Sequence, residues 1–344
     1  MAANSQGAGE TIPPHVQLIQ MGTAYWVSRI LYMAAKLGLA DHLAHGAKCA
    51  AELAKPTGTH ARSLHRLMRA LASLGVLSER DQNRFVLTPL GEALKTGAPG
   101  AARASILSLA GQWSWQAWEQ IEHCVATGGT GMQEALGMPA FDFLAANPQE
   151  ASYFSEAMVG IHGGEPPAVA EAYDFSPYAT LVDVGGATGN LLAHLLAKHP
   201  TPRGILYDRP NVVGDAPKLI AARGMTDRIT IEAGDFFERV PGGGDVYLLS
   251  HIIHDWSESQ CLTILGNCRK AMKPGSKLLL IETVLPPGDT PHFGKLLDIV
   301  MLVIPGGEER TPDEYAALLS KAGLRLTRVV PTASVVSIVE AELA

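Results

Sequence analysis

The chain has 344 residues, of which 47% are hydrophobic and 18% charged, which is typical of a globular protein long enough for two domains. Its formal net charge of −7 argues against a general surface for nucleic acid or anionic membranes, although a local basic patch is compatible with it. The first residues lack the pattern of a signal peptide, no apolar run reaches 18 residues, and the four cysteines lack metal-ligand spacing. We therefore expect a cytoplasmic location, reduced cysteines and no metal.

The first hundred residues have the element order of a winged helix. After a tail over residues 1–12 that we expect to be disordered, apolar residues recur at helical spacing from Val16 to Leu43, with a stop at Gly38. Helices over Ala50–Ala54 and from Thr59 to Leu74 follow. Alternating apolar residues after them predict a hairpin of two strands.

The last helix of this region carries Arg62, His65, Arg66 and Arg69. Two interpretations are open for these basic side chains. They could form a DNA-recognition helix, as in many winged helices, or a solvated or interface face. The acidic chain favours the second interpretation.

Residues 101–175 are predicted to be helical and are rich in large side chains. From residue 179, short apolar strands alternate with helices, which predicts a parallel sheet covered by helices on both faces. A terminal hairpin of Leu324–Val330 and Ser334–Val339 should add an antiparallel last strand. The predicted parallel strands are Leu181–Val184, Gly204–Tyr207, Ile229–Ile231, Val246–Ser250 and Lys277–Val284.

Three consecutive predicted strands end in residues that suit a nucleoside. The Gly-rich turn Asp183–Gly189 allows close approach of the backbone to a ligand, but it is neither a dinucleotide nor a P-loop motif. Asp208 could accept both hydroxyls of a ribose, and Asp235 and Phe236 could bind an adenine amino group and ring. Each acid alone also suits a helix cap or a turn. Together, at the carboxyl ends of neighbouring strands, they predict a nucleoside pocket without a phosphate site.

The fourth strand runs directly into two histidines, His251 and His254, followed by Asp255 and Trp256. Histidine can take up and release a proton near neutral pH, and the end of a strand aims it at the ligand crevice. The local sequence alone leaves open which histidine would act as a base.

The combination of motifs resembles the S-adenosylmethionine-dependent small-molecule O-methyltransferases of the caffeate/acetylserotonin type, bacterial branch, over nearly the whole chain. The resemblance implies an α/β, Rossmann-like class I methyltransferase domain with an antiparallel last strand, preceded by an α-helical winged-helix dimerisation domain. The motifs that carry it are LVDVGGATGN (181–190), YDRP (207–210), GDFF (234–237), IIHDW (252–256), IETVLP (281–286) and GGEERT (306–311).

This resemblance also implies a domain division and a cofactor. Residues 1–100 would form the dimerisation domain of a homodimer, residues 101–175 a helical connecting and substrate-lining segment, and residues 176–344 the catalytic domain. S-adenosylmethionine would be the cofactor and S-adenosylhomocysteine the product. The residues expected to bind the cofactor are Gly185, Asp208, Asp235, Phe236 and Ser250, with Ala187 in place of a more usual glycine and Ser250 where plant relatives often carry a lysine.

By the same resemblance, His254 is the general base that deprotonates the acceptor hydroxyl, and His251 packs nearby or faces the cofactor. An imidazole base needs a second group to hold its tautomer and stabilise the imidazolium. Glu282, at the end of a predicted strand, and Glu309, in the GGEERT segment, are expected to fill this role; Glu308 is the near alternative.

The acceptor pocket should be apolar and aromatic. Ile304 stands near the position where relatives often carry an asparagine, which favours a more apolar aromatic or polyketide-type hydroxyl over a plant phenylpropanoid. Two other functions stay open: a winged-helix transcription regulator that responds to a ligand, and a family member with other chemistry, such as methylation of nitrogen or a non-methylating use of the cofactor. The predicted acceptor-binding residues are Trp113, Phe154, Met158, His162, Met301 and Ile304.

Overall fold

The computed structural model describes residues 12–344 and divides into two compact units. The first unit contains the described residues up to Trp115 together with Asp142–Gly163, and the second contains Gln116–Phe141 and Gly164–Ala344. The predicted boundaries after residues 100 and 175 stay predictions, and the predicted tail lies outside the described residues except for its last residue. Within residues 12–344, no helix has both the length and the apolar run needed to cross a membrane.

The amino-terminal part of the first unit contains short helices and a three-stranded antiparallel sheet of order β1–β3–β2. The predicted hairpin is present as β2 and β3, in which Leu77 pairs with Leu87. The elements are α1 (Pro14–Gly22), α2 (Tyr25–Lys36), α3 (Leu39–Leu43), β1 (Lys48–Cys49), α4 (Ala50–Thr57), α5 (Ala61–Ser73), β2 (Leu77–Arg80), a 3-10 turn (Asp81–Asn83), β3 (Arg84–Leu87) and α6 (Pro89–Glu92).

Helix α5 shows why this part folds as it does. Leu64, Met68 and Leu71 recur at helical spacing and are buried in a core with Phe85 of β3. The three arginines of α5 are exposed on the other faces, and the ring of His65 lies 5.8 Å from that of Phe85. The helix is therefore amphipathic, with one core-facing stripe.

Helices fill the middle of the chain, as predicted. Helix α12 packs against α7 within the first unit. The helices are α7 (Ala102–Leu109), α8 (Gln112–Trp118), α9 (Ile121–Thr127), α10 (Gly131–Leu136), α11 (Ala140–Ala146), α12 (Pro148–Ile161) and α13 (Glu165–Ala172).

The second unit is built on a seven-stranded sheet of order β6–β5–β4–β7–β8–β10–β9. The first five strands in this order are parallel, and β10 pairs antiparallel with β8 and β9, which confirms the predicted fold class. The strands are β4 (Thr180–Val184), β5 (Arg203–Asp208), β6 (Ile229–Ala233), β7 (Val246–Ser250), β8 (Lys277–Glu282), β9 (Leu324–Pro331) and β10 (Ser337–Leu343).

The central strands β7 and β8 are almost wholly buried, which is typical of parallel strands covered on both faces. Strand β8 ends at Glu282, two residues before its predicted end, and Val284 forms only an isolated bridge with Arg310. The sequence analysis did not predict α17 and α18. The helices of this unit after α13 are α14 (Asn190–Lys198), α15 (Ala216–Ala222), α16 (Glu258–Ala271), α17 (Phe293–Val303) and α18 (Pro312–Lys321), with 3-10 turns at Val213–Asp215 and Ile253–Asp255.

Candidate active site

The Gly-rich turn follows β4 and is tied to the neighbouring strand β5. The N–H of Gly185 donates to the carbonyl of Tyr207 over 2.8 Å. Gly185 has a φ of +74°, and an added Cβ would lie 2.5 Å from the Cδ1 atom of Ile252 and 3.4 Å from the ring of Phe236. Only a residue without a side chain fits this approach, so the sequence places glycine where the backbone must come close to other groups.

Ala187 holds a left-handed conformation, with a φ of +50°. Its N–H donates to Oδ2 of Asp208 over 2.9 Å, and the N–H of Arg209 donates to Oδ1 over 2.7 Å. Burial raises the pKa of Asp208, and these two hydrogen bonds act in the opposite direction. Because an ionised carboxylate offers about four acceptor positions, Asp208 keeps the capacity to accept two hydroxyls of a ribose.

Asp235 and Phe236 lie just after β6. Oδ1 of Asp235 accepts a hydrogen bond of 2.8 Å from the N–H of Phe237, which fixes the carboxylate in a tight turn. The rings of Phe236 and Phe237 contact Trp256 edge to face, at 6.1 and 4.9 Å between centroids. Carboxylates, aromatic rings and a side-chain-free turn at adjacent strand ends form a donor set that fits an adenosine group.

Ser250 is the last residue of β7, where it pairs with Ile281 of β8 and is half-buried. The chain then turns through the 3-10 segment that contains His254. The predicted cofactor residues therefore all lie at the carboxyl ends of parallel strands in the second unit.

His254 is buried, with 7% of its surface exposed, and its Nδ1 lies 2.7 Å from Oε1 of Glu309. The same nitrogen is 3.6 Å from Oε2 of Glu282, and Nε2 is 3.6 Å from Oδ1 of Asp255. An ionised Glu309 would accept Nδ1–H, and this hydrogen bond selects the tautomer whose lone pair is on Nε2. The structure therefore brings together the three residues predicted from separate segments, His254, Glu282 and Glu309.

Glu282 contacts the backbone that carries the histidine more closely than it contacts the imidazole. Its Oε1 accepts hydrogen bonds from the N–H groups of Ile252, at 3.2 Å, and Ile253, at 2.9 Å. The side chain is fully buried. Burial first, and the charges of Glu309 and Asp255 after it, raise the pKa of Glu282 well above its ordinary value.

The segment that carries Glu309 is fastened to the backbone of His254. The N–H of Glu308 donates to the carbonyl of His254 over 2.9 Å. A Cβ on Gly307 would lie 1.8 Å from the same carbonyl oxygen, so glycine is required for this contact. The N–H of Glu309 donates to Oδ1 of Asp298 in α17 over 2.8 Å, and buried Arg310 donates to the carbonyls of Ile253 and Glu308.

The carboxyl groups around His254 are costly to ionise. Burial raises the pKa of Glu309 to about 7; Asp298 acts in the same direction, while His251, Arg310 and His292 lower it. Burial also raises the pKa of Asp255 to about 6, with His254 opposing and Glu309 adding to the shift. A carboxylate in such surroundings gains most when a cation forms beside it.

His251 forms a second histidine–carboxylate pair. Its backbone is left-handed, with a φ of +53°, and its Nε2 lies 2.6 Å from Oε2 of Glu165 at the start of α13. The rings of His251 and His254 are 5.2 Å apart between centroids. The sequence analysis missed Glu165, because an acid in the first turn of a helix, 86 residues before its partner, carries no local sign of this contact.

The predicted acceptor-binding residues fall in both units. Trp113 is buried, its ring lies 5.9 Å from that of Phe143, and Phe154, Met158 and His162 are half-buried; all of them belong to the first unit. Met301 and Ile304 belong to the second unit, where α17 ends at Val303. Their role in binding an acceptor stays a prediction.

Comparisons with known proteins match nearly the whole chain. A family model of the O-methyltransferase domain matches residues 118–325, and one of the O-methyltransferase dimerisation domain matches residues 19–97. The chain is 44% identical over 330 residues to the phenazine O-methyltransferase PhzM of Lysobacter antibioticus, covering 96% of each protein. It is 33% identical over 329 residues to the 8-amino-8-demethylriboflavin N,N-dimethyltransferase of Streptomyces davaonensis, covering 94% of each. The crystal structure of human N-acetylserotonin methyltransferase in complex with S-adenosylmethionine matches with a TM-score of 0.84 at 26% identity, covering 98% of this chain and 100% of that one.

The dimerisation match covers the segment predicted to be a winged helix. In this segment Ile19, Met21 and Trp26 are large apolar side chains that are mostly exposed within the single chain. Exposed apolar groups of this kind mark interaction surfaces. The amino-terminal region therefore points to a homodimer.

Proposed function

We propose that this chain, which belongs to the O-methyltransferase family and uses S-adenosylmethionine as its cofactor, methylates a hydroxyl group of a small aromatic or polyketide-type metabolite. The predicted family, fold class and cofactor are confirmed, as is a methyltransferase activity on a small molecule. The observation that supports a hydroxyl group as the methyl acceptor is the 2.7 Å contact between Nδ1 of His254 and Oε1 of Glu309.

A phenolic hydroxyl has a pKa of about 10, so at neutral pH it needs a base before it becomes a good nucleophile. Nε2 of His254 would take the phenolic proton while Nδ1–H donates to Glu309. The imidazolium that forms lies beside Glu309, and the attraction between the two charges offsets the cost of burying them. Glu282 contributes by holding the N–H groups of Ile252 and Ile253, which orients the turn that carries the base.

The proposed cofactor contacts follow from the ends of the strands. Asp208 would accept hydrogen bonds from the ribose hydroxyls, and Asp235 would accept one from the adenine amino group. Phe236 would pack on the adenine ring. Gly185, in the Gly-rich turn, and Ser250, at the end of β7, would line the cofactor site. When bound, S-adenosylmethionine supplies an electrophilic methyl group on a sulfonium centre. The residues of the chain contribute by aligning the acceptor and accepting its proton.

Trp113, Phe154, Met158, His162, Met301 and Ile304 are the proposed acceptor-binding residues. They are mostly apolar, which suits a flat aromatic ring. The phenazine O-methyltransferase relative supports an acceptor of fused aromatic rings.

A cytoplasmic location of the protein stays a prediction.

Methylation of nitrogen is the second candidate, because two relatives are named as an N,N-dimethyltransferase and an N-methyltransferase. An aromatic amine is largely neutral at pH 7 and needs no base before the transfer. The His254–Glu309 pair is therefore better matched to a hydroxyl than to an amine.

The test is a panel of fused aromatic acceptors, each supplied with a hydroxyl or with an amino group at the same ring position. We expect the hydroxyl compound of a pair to gain one methyl by mass, with the methyl located on oxygen by NMR. Methylation of only the amino compounds would reject the hydroxyl assignment.

The alternative function, a ligand-responsive transcription regulator, predicts salt-dependent, sequence-specific DNA binding instead, which a gel-shift assay at low salt detects.

A further inference from the structure

The two histidine–carboxylate pairs of the second unit lie side by side and enclose a third carboxyl group. A ring nitrogen of His251, a ring nitrogen of His254 and a carboxylate oxygen of Glu282 all lie within 4.8 Å of one another. Two imidazoles and one carboxylate are the donor set of many zinc and other transition-metal sites in proteins. Mg²⁺ and Ca²⁺ prefer oxygen ligands alone and are disfavoured here.

From this arrangement we propose that His251, His254 and Glu282 form a binding site for a divalent transition-metal ion such as Zn²⁺, and that an ion bound there inhibits methyl transfer. The inhibitory part rests on the proposed function, because the ion would occupy the base. The metal-binding part rests only on the positions of the three side chains.

An independent observation points to a ligand at this place. Oε2 of Glu282 is buried and has no hydrogen-bond partner among the residues that the structure describes. Oε1 of the same carboxyl group is held by two backbone N–H groups, whereas Oε2 belongs to the group of atoms that lie within 4.8 Å of one another. A buried carboxyl oxygen without a partner is costly unless a proton or a cation compensates it.

The surroundings of both histidines resemble those of metal-bound histidines. His254 contacts Glu309 at 2.7 Å, and His251 contacts Glu165 at 2.6 Å. A carboxylate on one ring nitrogen orients the ring and makes its other nitrogen a better ligand. Three carboxyl groups, Glu165, Glu282 and Glu309, are buried in this region, with Arg310 as a buried cation close by.

The distances allow binding with small movements. Zn–N and Zn–O bonds of about 2.0–2.2 Å place tetrahedral ligands about 3.4 Å apart. Inward shifts of each side chain by about an ångström would therefore bring atoms that lie within 4.8 Å to bonding distance. Binding would displace the proton of Glu282 into the buffer.

The test uses the full-length protein after treatment with a chelator, first without any acceptor. Co²⁺, which reports its coordination by visible absorption, is titrated into the protein, and Zn²⁺ is then added to displace it. We expect one tightly bound Co²⁺ per chain, with the intense absorption of a low-coordinate site, and displacement by Zn²⁺. His251→Asn and Glu282→Gln each remove one ligand and should weaken Co²⁺ binding by at least about tenfold.

Asparagine accepts a left-handed backbone at little cost, so His251→Asn should keep the fold. His123→Asn is the matched control, because His123 is also near a carboxylate, 3.7 Å from Glu134, but lies outside the cluster. It should leave Co²⁺ affinity unchanged. Equal affinity in His251→Asn and the parent chain, or a Co²⁺ spectrum like that of the hydrated ion, would overturn the site.

Inhibition is measured separately, as the rate with Zn²⁺ divided by the metal-free rate of the same variant. We expect Zn²⁺ to inhibit the parent chain and the His123→Asn control at similar concentrations. Equal inhibition of His251→Asn should need at least about tenfold more Zn²⁺. Methyl transfer that Zn²⁺ does not change, together with Co²⁺ binding, would remove the inhibitory part. Co²⁺ binding in a chain that methylates no hydroxyl would instead reject the proposed function and leave the metal site standing.

Discussion

The two halves of the proposed site in the second unit, one for the cofactor and one for the base, are built in different ways. In the cofactor half, formed by Gly185, Asp208 and Asp235, two hydrogen bonds are local: Asp208 accepts from the N–H of the next residue, and Asp235 from that of Phe237, two residues on. Asp208 also accepts from the N–H of Ala187, which lies 21 residues earlier, at the end of the neighbouring strand. The base half, formed by His254, Glu282 and Glu309, is held by contacts between segments 29 to 55 residues apart. The proposed nucleoside site therefore combines local turns with one contact between neighbouring strand ends, whereas the proposed base site is assembled from segments further apart in the chain.

The halves also differ in how they hold charge. In the cofactor half, burial raises the pKa of Asp208, and the N–H groups of Arg209 and Ala187 oppose this shift. In the base half, burial raises the pKa of Glu282 and Glu309, and other carboxyl groups add to both shifts: Glu309 and Asp255 raise the pKa of Glu282, and Asp298 raises that of Glu309. We infer that substitutions in the base half change turnover and the pH dependence of stability, while those in the cofactor half change cofactor affinity.

The largest effect is expected for His254→Ala. Loss of a general base typically lowers the rate by about 10²–10⁴-fold, and kcat should fall in that range. The dissociation constant of S-adenosylmethionine, measured by calorimetry, should change little, since His254 lies in the base half. His194→Ala, in α14 of the same unit, is the matched control. Equal turnover in His254→Ala and the parent chain would remove His254 as the base.

The next effect concerns stability and Glu309. Its pKa of about 7 in the folded chain exceeds the ordinary 4.5, so the folded state keeps a proton that the unfolded state releases between pH 4.5 and 7. This contribution to the free energy of unfolding is present below pH 4.5 and is lost as the pH rises to about 7. Between pH 4.5 and 7, the free energy of unfolding of the parent chain should fall by up to about 3 kcal/mol relative to that of Glu309→Gln. One pKa unit corresponds to about 1.4 kcal/mol.

Urea unfolding at pH 4.5, 5.5 and 7 measures this difference, with the exposed neighbour Glu308→Gln as the control. A parent chain that gains stability relative to Glu309→Gln as the pH rises would show that Glu309 is already ionised across the window. Glu309 would then form an ion pair with a cationic His254.

Glu309→Gln should also reduce turnover, by about 10–100-fold, the usual cost of removing the partner that orients an imidazole. Glutamine keeps the shape but cannot offer a negative charge to the imidazolium. The expected signature is a lower kcat with nearly unchanged KM for S-adenosylmethionine, measured beside Glu308→Gln. A change confined to KM would place Glu309 in binding rather than in proton transfer.

The same contrast explains how far the sequence could be interpreted. The strands, the Gly-rich turn and the acids after β5 and β6 follow from local patterns, and the fold class was predicted correctly. The grouping of His254 with Glu282 and Glu309 came from the family motifs, because nothing local joins residues up to 55 positions apart. Glu165 was missed for this reason, and so was the contact of Gly307 with the carbonyl of His254. A glycine that follows another glycine in a loop does not reveal which atom it must approach.

The smallest predicted effect tests the cofactor half on its own. Asp208→Asn keeps one carbonyl acceptor but loses the charge, and hydrogen bonds to a charged acceptor are about twice as strong as neutral ones. The amide would also turn a donor toward either Ala187 N–H or the ribose, so one contact must be lost. We expect S-adenosylmethionine to bind about tenfold more weakly, about 1.4 kcal/mol, with kcat at saturating cofactor nearly retained. Asp227→Asn, near the surface between α15 and β6, is the matched control. A loss of kcat without a loss of affinity would mean that the two halves are coupled, since Asp208 would then act on the reaction through the turn that it shares with Gly185.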